Sequence, residues 1–304
     1  MNIIETTQLT HRYWRTEALR GLDLAVPAGS VFALLGANGA GKTTAIKVIM
    51  NLLRPTTGEA RVFGVDSRRL GERELALIGH VSENQQLPLW MTVRQLLDYC
   101  RPFYPTWDRA LEARLLGQFD LPPERKLKHL SRGMLMKAAL LSSLAYRPKL
   151  LVLDEPFSGL DALVRDEFVR GLIEASELGD WTVFISSHDI EEVERLADHV
   201  ALLESGRLKF AETTEALLSR FRRVEVTVQG GPARLEAAPP NWLEMEQKGG
   251  LVRFVETRYD REVTERACRE RFPEAAVTVQ PMTLREIFIA LARAGRVAAK
   301  STAA

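Results

Sequence analysis

The chain has 304 residues, 46% hydrophobic and 27% charged, which is typical of a globular protein and leaves room for about two domains. Its net charge of +1 provides no strong overall field that would favour nucleic acid or an anionic membrane as a partner. The two distant cysteines exclude a disulfide framework and a cysteine-based metal site, and no apolar run approaches the ~20 residues that span a bilayer.

The first two thirds of the chain alternate short apolar runs with segments of helical periodicity. "SVFALLG" (30–36) predicts a buried strand, and "KTTAIKVIMNLL" (42–53) predicts a helix. Further strands are predicted at "KLLVLDEP" (149–156), "DWTVFISSH" (180–188) and, in two parts around a Ser-Gly turn, "HVALLESGRLKF" (199–210), with a helix at "HDIEEVERLAD" (188–198). This alternation predicts an α/β fold with a mostly parallel sheet flanked by helices.

Two further regions differ from this pattern. Residues 87–148 carry mainly helical signals and are predicted to form a helical subdomain inserted into a sheet domain that spans 1–218. Residues 219–294 predict a small α+β unit, and 295–304 a disordered tail. The strands of the small unit are predicted at "RRVEVTVQGG", "LVRFVETRY" and "AAVTVQP", and its helices at "DREVTERACRERF" and "TLREIFIALAR".

The segment "GANGAGKT" satisfies the pattern G-x-x-x-x-G-K-[ST] of a phosphate-binding loop. Glycines at 36, 39 and 41 let phosphate oxygens approach backbone N–H groups, and the following helix directs its unpaired N–H groups at the anion. Lys42 would reach the β- and γ-phosphates, and the Thr43 hydroxyl would bind Mg²⁺. The alternative is a glycine-rich turn without a ligand, but the predicted strand before it and helix after it favour the phosphate site.

Two predicted strands end in polar residues, where ligands bind in open α/β sheets. Asp154 would bind Mg²⁺ directly or through water, and Glu155 would polarise the water that attacks the γ-phosphate. His188 would hydrogen-bond the γ-phosphate and that water. The alternative for Asp154 and Glu155 is that they cap the start of a helix. The alternative for His188 is a purely structural role.

The segment "LSRGM" (130–134) precedes an apolar helix. Ser131 lies where an N-cap is expected, and Gly133 leaves the backbone bare, which together make a second helix terminus suited to an anion. One nucleotide does not need two such termini from one chain. A second copy of the protein would explain the second terminus.

The ordered motifs "GANGAGKTT", "LSRGM", "LLVLDEP", "SGLD" and "SSH" resemble the ATP-binding subunit of ABC transporters, over residues 2–218. The resemblance implies a P-loop NTPase of ABC type that hydrolyses Mg-ATP and drives a separate transmembrane permease from the cytoplasmic, inner face of the cell membrane. It implies a head-to-tail dimer with two ATP molecules at the interface, either a homodimer or a heterodimer with a related subunit. No nucleic-acid partner is expected.

The same resemblance assigns the site residues. Nucleotide-binding residues would be Tyr13, Gly36, Asn38, Gly39, Gly41, Lys42, Thr43, Thr44, Ser131, Gly133 and Asp161. Catalytic residues would be Lys42, Glu83, Glu155 and His188, and metal-binding residues Thr43, Glu83 and Asp154. Ser131 and Gly133 would act on the γ-phosphate held by the other protomer, and Asp161 would connect the two sites. Tyr13 would stack on adenine, with Trp14 as the competing choice.

The chain departs from the family pattern at two sites. In the usual signature LSGGQ, Arg132 replaces a Gly and Met134 a Gln. The family's usual Gln beside Mg²⁺ and the attacking water is matched by Glu83, although Gln85 and Gln86 lie close enough for a shifted loop. A carboxylate can still bind Mg²⁺ but adds negative charge beside the phosphates.

The segments "VSENQQLPLWMTV" and "FYPTWD" resemble the bacterial exporter-type branch. An exporter ATPase is therefore expected. The alternatives are a soluble ABC ATPase that acts on ribosomes or DNA, and a nucleotide-gated scaffold with little hydrolysis. The C-terminal unit carries no motif with evident chemistry, so it is expected to support packing or dimerisation, or else to regulate or bind a partner.

Overall fold

The computed structural model describes residues 1–176, 181–228, 238–273 and 275–301. The chain divides into two units, Met1–Ala211 and Glu212 onward. The boundary predicted from the sequence, after residue 218, falls inside the helix Thr214–Arg220. In the structure this whole helix belongs to the second unit.

The first unit contains ten strands and six α-helices in its described part. They are β1 Asn2–Tyr13, β2 Thr16–Pro27, β3 Val31–Leu35, α1 Lys42–Ile49, β4 Thr57–Val62, β5 Val65–Asp66, α2 Glu72–Leu75, β6 Ile78–Ser82, α3 Val93–Cys100, α4 Arg109–Gln118, α5 Arg132–Leu144, β7 Leu150–Asp154, α6 Ala162–Ser176, β8 Thr182–Ser187, β9 His199–Glu204 and β10 Arg207–Thr213. The last strand runs across the division between the units.

A six-stranded sheet has the order β10-β9-β3-β8-β7-β6, and its neighbours from β9 to β6 pair in parallel. These strands are short and apolar because helices or the second sheet cover them, and β7 and β8 are buried along their whole length. Parallel pairing sets the carboxyl ends of β3, β8 and β7 side by side. The residues that follow these three strands therefore meet at one edge of the sheet.

A second sheet, β2-β1-β4-β5, is antiparallel and was not predicted. The alternation of β1 is broken at Gln8, which has a φ of 45° and lies at a shift of register against β2. Such a bulge removes the period-2 signal on which strand prediction depends. The apolar faces of both sheets and of α1 form one core that includes Ile4, Leu22, Phe32, Ile49 and Phe184.

Helices α3, α4 and α5 lie within the segment 87–148, where a helical subdomain was expected. The predicted hairpin at 199–210 is confirmed as β9 and β10, and its turn residues Ser205 and Gly206 both have positive φ. The prediction of a helix at 188–198 is wrong. Its backbone forms successive turns, with Glu194 N bonded to Ile190 O and Ala197 N bonded to Val193 O.

The second unit contains α7 Thr214–Arg220, β11 Arg222–Thr227, β12 Trp242–Lys248, β13 Leu251–Glu256, α8 Arg261–Arg271, β14 Ala276–Pro281 and α9 Leu284–Ser301. Its sheet is antiparallel, with the order β12-β13-β11-β14. Trp242 stacks on Phe254 with ring centroids 3.8 Å apart and donates a 2.9 Å hydrogen bond to the buried Glu256. The five predicted elements of this unit are present, and β12 and α7 were not predicted.

A disordered tail was predicted at 295–304, but the backbone of 295–301 belongs to α9, which continues to Ser301. Residues 302–304 lie outside the described residues. None of the helices in the described ranges combines the length and the apolarity that crossing a membrane requires.

Candidate active site

The loop after β3 turns sharply before α1 begins at Lys42. Gly41 caps α1 with a φ of 109°, and a Cβ there would lie 2.5 Å from the carbonyl oxygen of Ala18. Gly39 also has a positive φ, 82°. Only glycine adopts such a path without strain, so these glycines are required by the backbone itself. The loop leaves the N-terminal N–H groups of α1 directed at the sheet edge.

Lys42 is buried, with 5% of its side chain exposed, and its charge is fully paired. Its Nζ donates to Gly36 O at 2.6 Å and to Ala37 O at 3.3 Å, and lies 2.9 Å from Glu155 Oε1. A buried ammonium group is tolerated only with such partners. A triphosphate in this loop would compete with Glu155 for the lysine.

Glu155 follows β7 with a φ of 51°, a strained conformation for a residue with a side chain. Its second oxygen, Oε2, lies 2.6 Å from His188 Nδ1. Burial alone would raise the pKa of Glu155, but the hydrogen bonds from His188 and Lys42 outweigh burial and lower the pKa. The hydrogen bond to Glu155 raises the pKa of His188. The pair therefore favours a carboxylate beside an imidazolium.

Thr43 and Asp154 bring two hard oxygen donors together at the start of α1. Thr43 Oγ1 donates to Asp154 Oδ1 at 3.1 Å, and Ser186 Oγ donates to the same oxygen at 2.7 Å. Hydroxyl and carboxylate oxygens suit Mg²⁺, which normally completes its shell with water and phosphate oxygens. No cluster of three His, Cys, Asp or Glu residues arranged to hold a metal occurs among the described residues. The two oxygens of Thr43 and Asp154 would supply part of the shell of a Mg²⁺ that is bound together with a nucleotide. The donor set fits Mg²⁺ in that form.

Glu83 follows β6 and reaches the same edge of the sheet. Its backbone N–H donates to Asp154 O at 3.0 Å. Its Oε1 accepts from Arg132 Nη2 at 2.6 Å and from Ser158 Oγ at 2.8 Å. Glu83, rather than Gln85 or Gln86, lines the cleft described next. Its predicted roles in metal binding and catalysis stay predictions.

A cleft of about 330 Å³ lies between the phosphate-binding loop and the ends of β6 and β7. Its lining consists of Ala18, Asn38, Gly39, Gly41, Lys42, Thr43, Thr44, Ser82, Glu83, Asn84, Asp154 and Glu155. His188 reaches it through Glu155. Sequence reasoning missed Ala18, Ser82 and Asn84. The last two flank Glu83 and could have been included with it, whereas Ala18 enters only because β2 runs beside the loop.

Six predicted site residues do not line this cleft in the described part of the chain: Tyr13, Gly36, Ser131, Gly133, Asp161 and His188. Ser131 caps α5 by accepting a hydrogen bond from Met134 N at 3.2 Å, and Asp161 Oδ1 accepts from Val164 N at 2.9 Å before α6. Gly133 is buried, and a Cβ there would lie 2.5 Å from Val164 Cγ1. Tyr13 is 43% exposed and packs edge-on against His11; the competing Trp14 is 89% exposed.

The ABC transporter family pattern matches residues 19–158. The daunorubicin/doxorubicin resistance ATP-binding protein DrrA of Streptomyces peucetius is 37% identical, over 71% of this chain and 67% of that protein. This chain belongs to the family of ABC transporter ATP-binding proteins. As an ABC ATP-binding subunit, it binds ATP and is an ATP hydrolase that powers transport together with transmembrane permease components.

Other members resemble this ABC subunit over different lengths. The ABC transporter ATP-binding protein YtrB of Bacillus subtilis is 27% identical over 95% of this chain and 97% of its own length. The sulfate/thiosulfate import ATP-binding protein CysA of Escherichia coli is 32% identical over 75% of this chain and 68% of its own length. A solved structure of the ATP-binding subunit of an ABC transporter superposes with a TM-score of 0.64 and 27% identity, over 71% of this chain and 92% of that one. The predicted P-loop ABC fold is thereby confirmed.

Proposed function

We propose that this subunit hydrolyses Mg-ATP in the cleft and thereby drives export through a separate membrane permease. The observation that carries the site assignment is the convergence of Lys42, Thr43, Asp154 and Glu155 on one cleft, after the parallel strands β3 and β7 that lie on either side of β8. A cation, a hydroxyl and two carboxylates in that arrangement can bind a triphosphate and activate water.

Binding exchanges one set of contacts for another. Lys42 now bonds to Glu155 and to two backbone carbonyls. When the β- and γ-phosphates take the lysine, Oε1 of Glu155 is released toward the cleft. Gly36, Asn38, Gly39, Gly41 and Thr44 supply backbone and side-chain contacts to the phosphates. Thr43 and Asp154 are the residues that would hold Mg²⁺, which would neutralise part of the phosphate charge.

Hydrolysis then requires a base and an orienting group. Glu155 accepts a proton from water while the water oxygen bonds to the γ-phosphorus and the bond to the β-phosphate oxygen breaks, which gives ADP and phosphate. Before nucleotide binds, the hydrogen bonds from His188 and Lys42 outweigh burial and lower the pKa of Glu155, which favours a carboxylate at this position when ATP arrives. His188, already bonded to Glu155, would hold the carboxylate in place and hydrogen-bond the γ-phosphate.

We further propose that two subunits complete each site. Ser131 and Gly133 of one protomer would act on the γ-phosphate bound by the other, and Asp161 would connect the two sites. Their positions outside this chain's own cleft are in keeping with that role. Tyr13, which is 43% exposed, would stack on adenine.

Export is the direction that we propose because a drug-resistance subunit and bacitracin transport subunits are among the relatives. The similarity to a sulfate importer subunit makes import the competing direction. Isolation of the complex from native membranes would identify the permease. Reconstitution of that complex in vesicles, with ATP on one side, would then show the direction of transport. Accumulation of substrate on the ATP side would contradict the proposal.

The site assignment is tested by Lys42→Ala, with Lys47→Ala as the matched control on the exposed face of α1. Lys42→Ala removes a charge-assisted phosphate contact worth about 1.5–3 kcal/mol, so we expect ATP affinity to fall about tenfold to a hundredfold. Calorimetric titration would measure affinity, and thermal unfolding would show that both variants fold. Equal affinities for both variants would remove Lys42 from the site.

A further inference from the structure

The two departures from the usual family sequence are in direct contact. Glu83 replaces the expected Gln in the loop after β6, and Arg132 replaces a Gly at the start of α5. Arg132 Nη2 lies 2.6 Å from Glu83 Oε1, so the two residues form an ion pair within one subunit. The two exceptions therefore belong to a single feature.

Neighbouring segments hold this ion pair in position. Ser158 Oγ donates to the same Glu83 oxygen at 2.8 Å. The guanidinium of Arg132 lies against Gly159, where a Cβ would be 2.5 Å from Nη1 and where φ is +68°. The backbone of Glu83 is bonded to Asp154 O. The pair thus joins the loop after β6, the start of α5 and the turn after β7.

The charge of the cleft gives the pair a function. Among the described residues that line it, Lys42 is the one cationic side chain, against the carboxylates of Glu83, Asp154 and Glu155. ATP brings further negative charge to the same place. Glu83 without a partner would repel the phosphates, because like charges that share a site disfavour each other. Arg132 supplies the compensating charge from outside the lining.

We infer that Arg132 is a positioning residue for ATP binding, which cancels the charge of Glu83 and holds its carboxylate at the cleft wall. This inference rests on the proposed ATP site. It assigns the Glu83 carboxylate to Arg132 rather than to Mg²⁺. An exposed ion pair normally contributes little, and these side chains are 52% and 28% exposed. The pair differs because Ser158 also donates to Glu83, because Gly159 lies against the guanidinium, and because Glu83 lines the cleft in which phosphate would bind.

The pair also connects two functional regions of one chain. Glu83 faces the chain's own cleft, whereas Arg132 lies between Ser131 and Gly133, the residues proposed to complete the partner's site. A change at one end of the pair alters the electrostatics at the other.

The test is Mg-ATP affinity, measured by titration of the full-length subunit, for Arg132→Gln, Glu83→Gln and the double variant. We expect Arg132→Gln to weaken binding about threefold to tenfold and Glu83→Gln to tighten it about twofold to fivefold. The double variant should return to within about twofold of the parent, because both charges are gone. The weakening should shrink between low and high salt, since screening reduces the repulsion.

Two controls separate charge from structure. Arg132→Lys keeps the charge and should bind ATP about as the parent does, which also covers the case in which Arg132→Gln folds poorly. Arg94→Gln breaks a pair of the same 2.6 Å length, Arg94–Glu124, that lies outside the cleft lining, and should leave affinity unchanged.

Three results would count against these ideas, in different ways. If Arg132→Gln and the double variant are equally weakened, Arg132 acts without Glu83 and the inference is wrong. If no variant changes affinity, the pair is an ordinary surface contact and the inference is also wrong. If the parent itself fails to bind ATP, the proposed site fails instead.

Discussion

At the scale of single residues, the charged groups at and beside the cleft are already paired with one another, and of these Lys42 is buried. Lys42, Glu155 and His188 form a continuous series in which each group has a partner within 3 Å. Burial of any one charge alone would be costly. The series therefore holds the three groups close together, and in the proposed site phosphate would replace Glu155 as the partner of Lys42.

A pH dependence of stability follows from the Glu155–His188 pair. The pKa of His188 is raised above its ordinary 6.5, so the stability it contributes is fully present below pH 6.5 and is lost as pH rises through the raised value. The pKa of Glu155 is lowered from 4.5, so its contribution is lost only as pH falls below 4.5. We expect His188→Gln to lower the melting temperature most between pH 4.5 and 6.5.

The size of this effect is small because the His188 side chain is 40% exposed, which corresponds to at most about 1 kcal/mol for such a pair. Melting curves of parent and variant from pH 5 to 9 would measure it. His129→Gln is the control, since that histidine is exposed and lies outside the cleft lining. A difference between parent and His188→Gln that stays constant with pH would show that no ionised pair forms.

At the scale of elements, the start of α5 both caps its helix and packs closely against α6. Ser131 caps the helix, and Gly133 permits close contact with Val164 of α6. A capped and tightly packed helix start is rigid, which is what a contact to a phosphate requires. Gly133 thus has a packing reason for its identity in addition to the proposed phosphate contact.

Gly133→Ala separates these two reasons. The added Cβ would lie 2.5 Å from Val164 Cγ1, so we expect overpacking to lower the free energy of unfolding by about 1–3 kcal/mol. Helix propensity alone would favour alanine, so the sign of the change is informative. Denaturant titration would measure it, and Gly133→Ala/Val164→Ala should recover part of the loss. Unchanged stability would leave phosphate access as the sole reason for the glycine.

At the scale of the whole molecule, the phosphate-binding cleft and the capped start of α5 are separate parts of the first unit. Ser131 lies outside the described lining of the phosphate-binding cleft, in keeping with the proposed two-subunit site. The second unit, from Glu212 onward, has its own core around Trp242 and Phe254. Its role in packing, dimerisation or regulation stays a prediction.

Glu155→Gln tests the two-subunit mechanism. The amide cannot accept a proton and no longer repels the γ-phosphate, so ATP should bind, persist and favour closure. We expect size-exclusion chromatography to show a monomer without nucleotide or with ADP and a dimer with ATP. A further Ser131→Arg change should abolish the dimer but spare ATP binding. A variant that binds ATP tightly and stays monomeric would contradict closure around ATP.

The sequence by itself determined the parts of the site that lie close together in the chain. The phosphate-binding loop needs only a strand, glycines at fixed offsets and the Lys42–Thr43 pair, all within one local segment. Apolar runs likewise located β3, β7 and β8 and the polar residues that follow them. Local backbone demands and the periodicity of burial are written in consecutive residues, so they can be read without a structure.

Tertiary structure alone decided the relations between distant segments. The order β3-β8-β7, the bulged antiparallel sheet and the turns at 188–198 depend on pairings and packing that local periodicity does not encode. The Glu83–Arg132 pair is the sharpest case, because sequence showed two separate exceptions and folding made them neighbours. Charges far apart in the chain interact only at the distance that the fold sets between them.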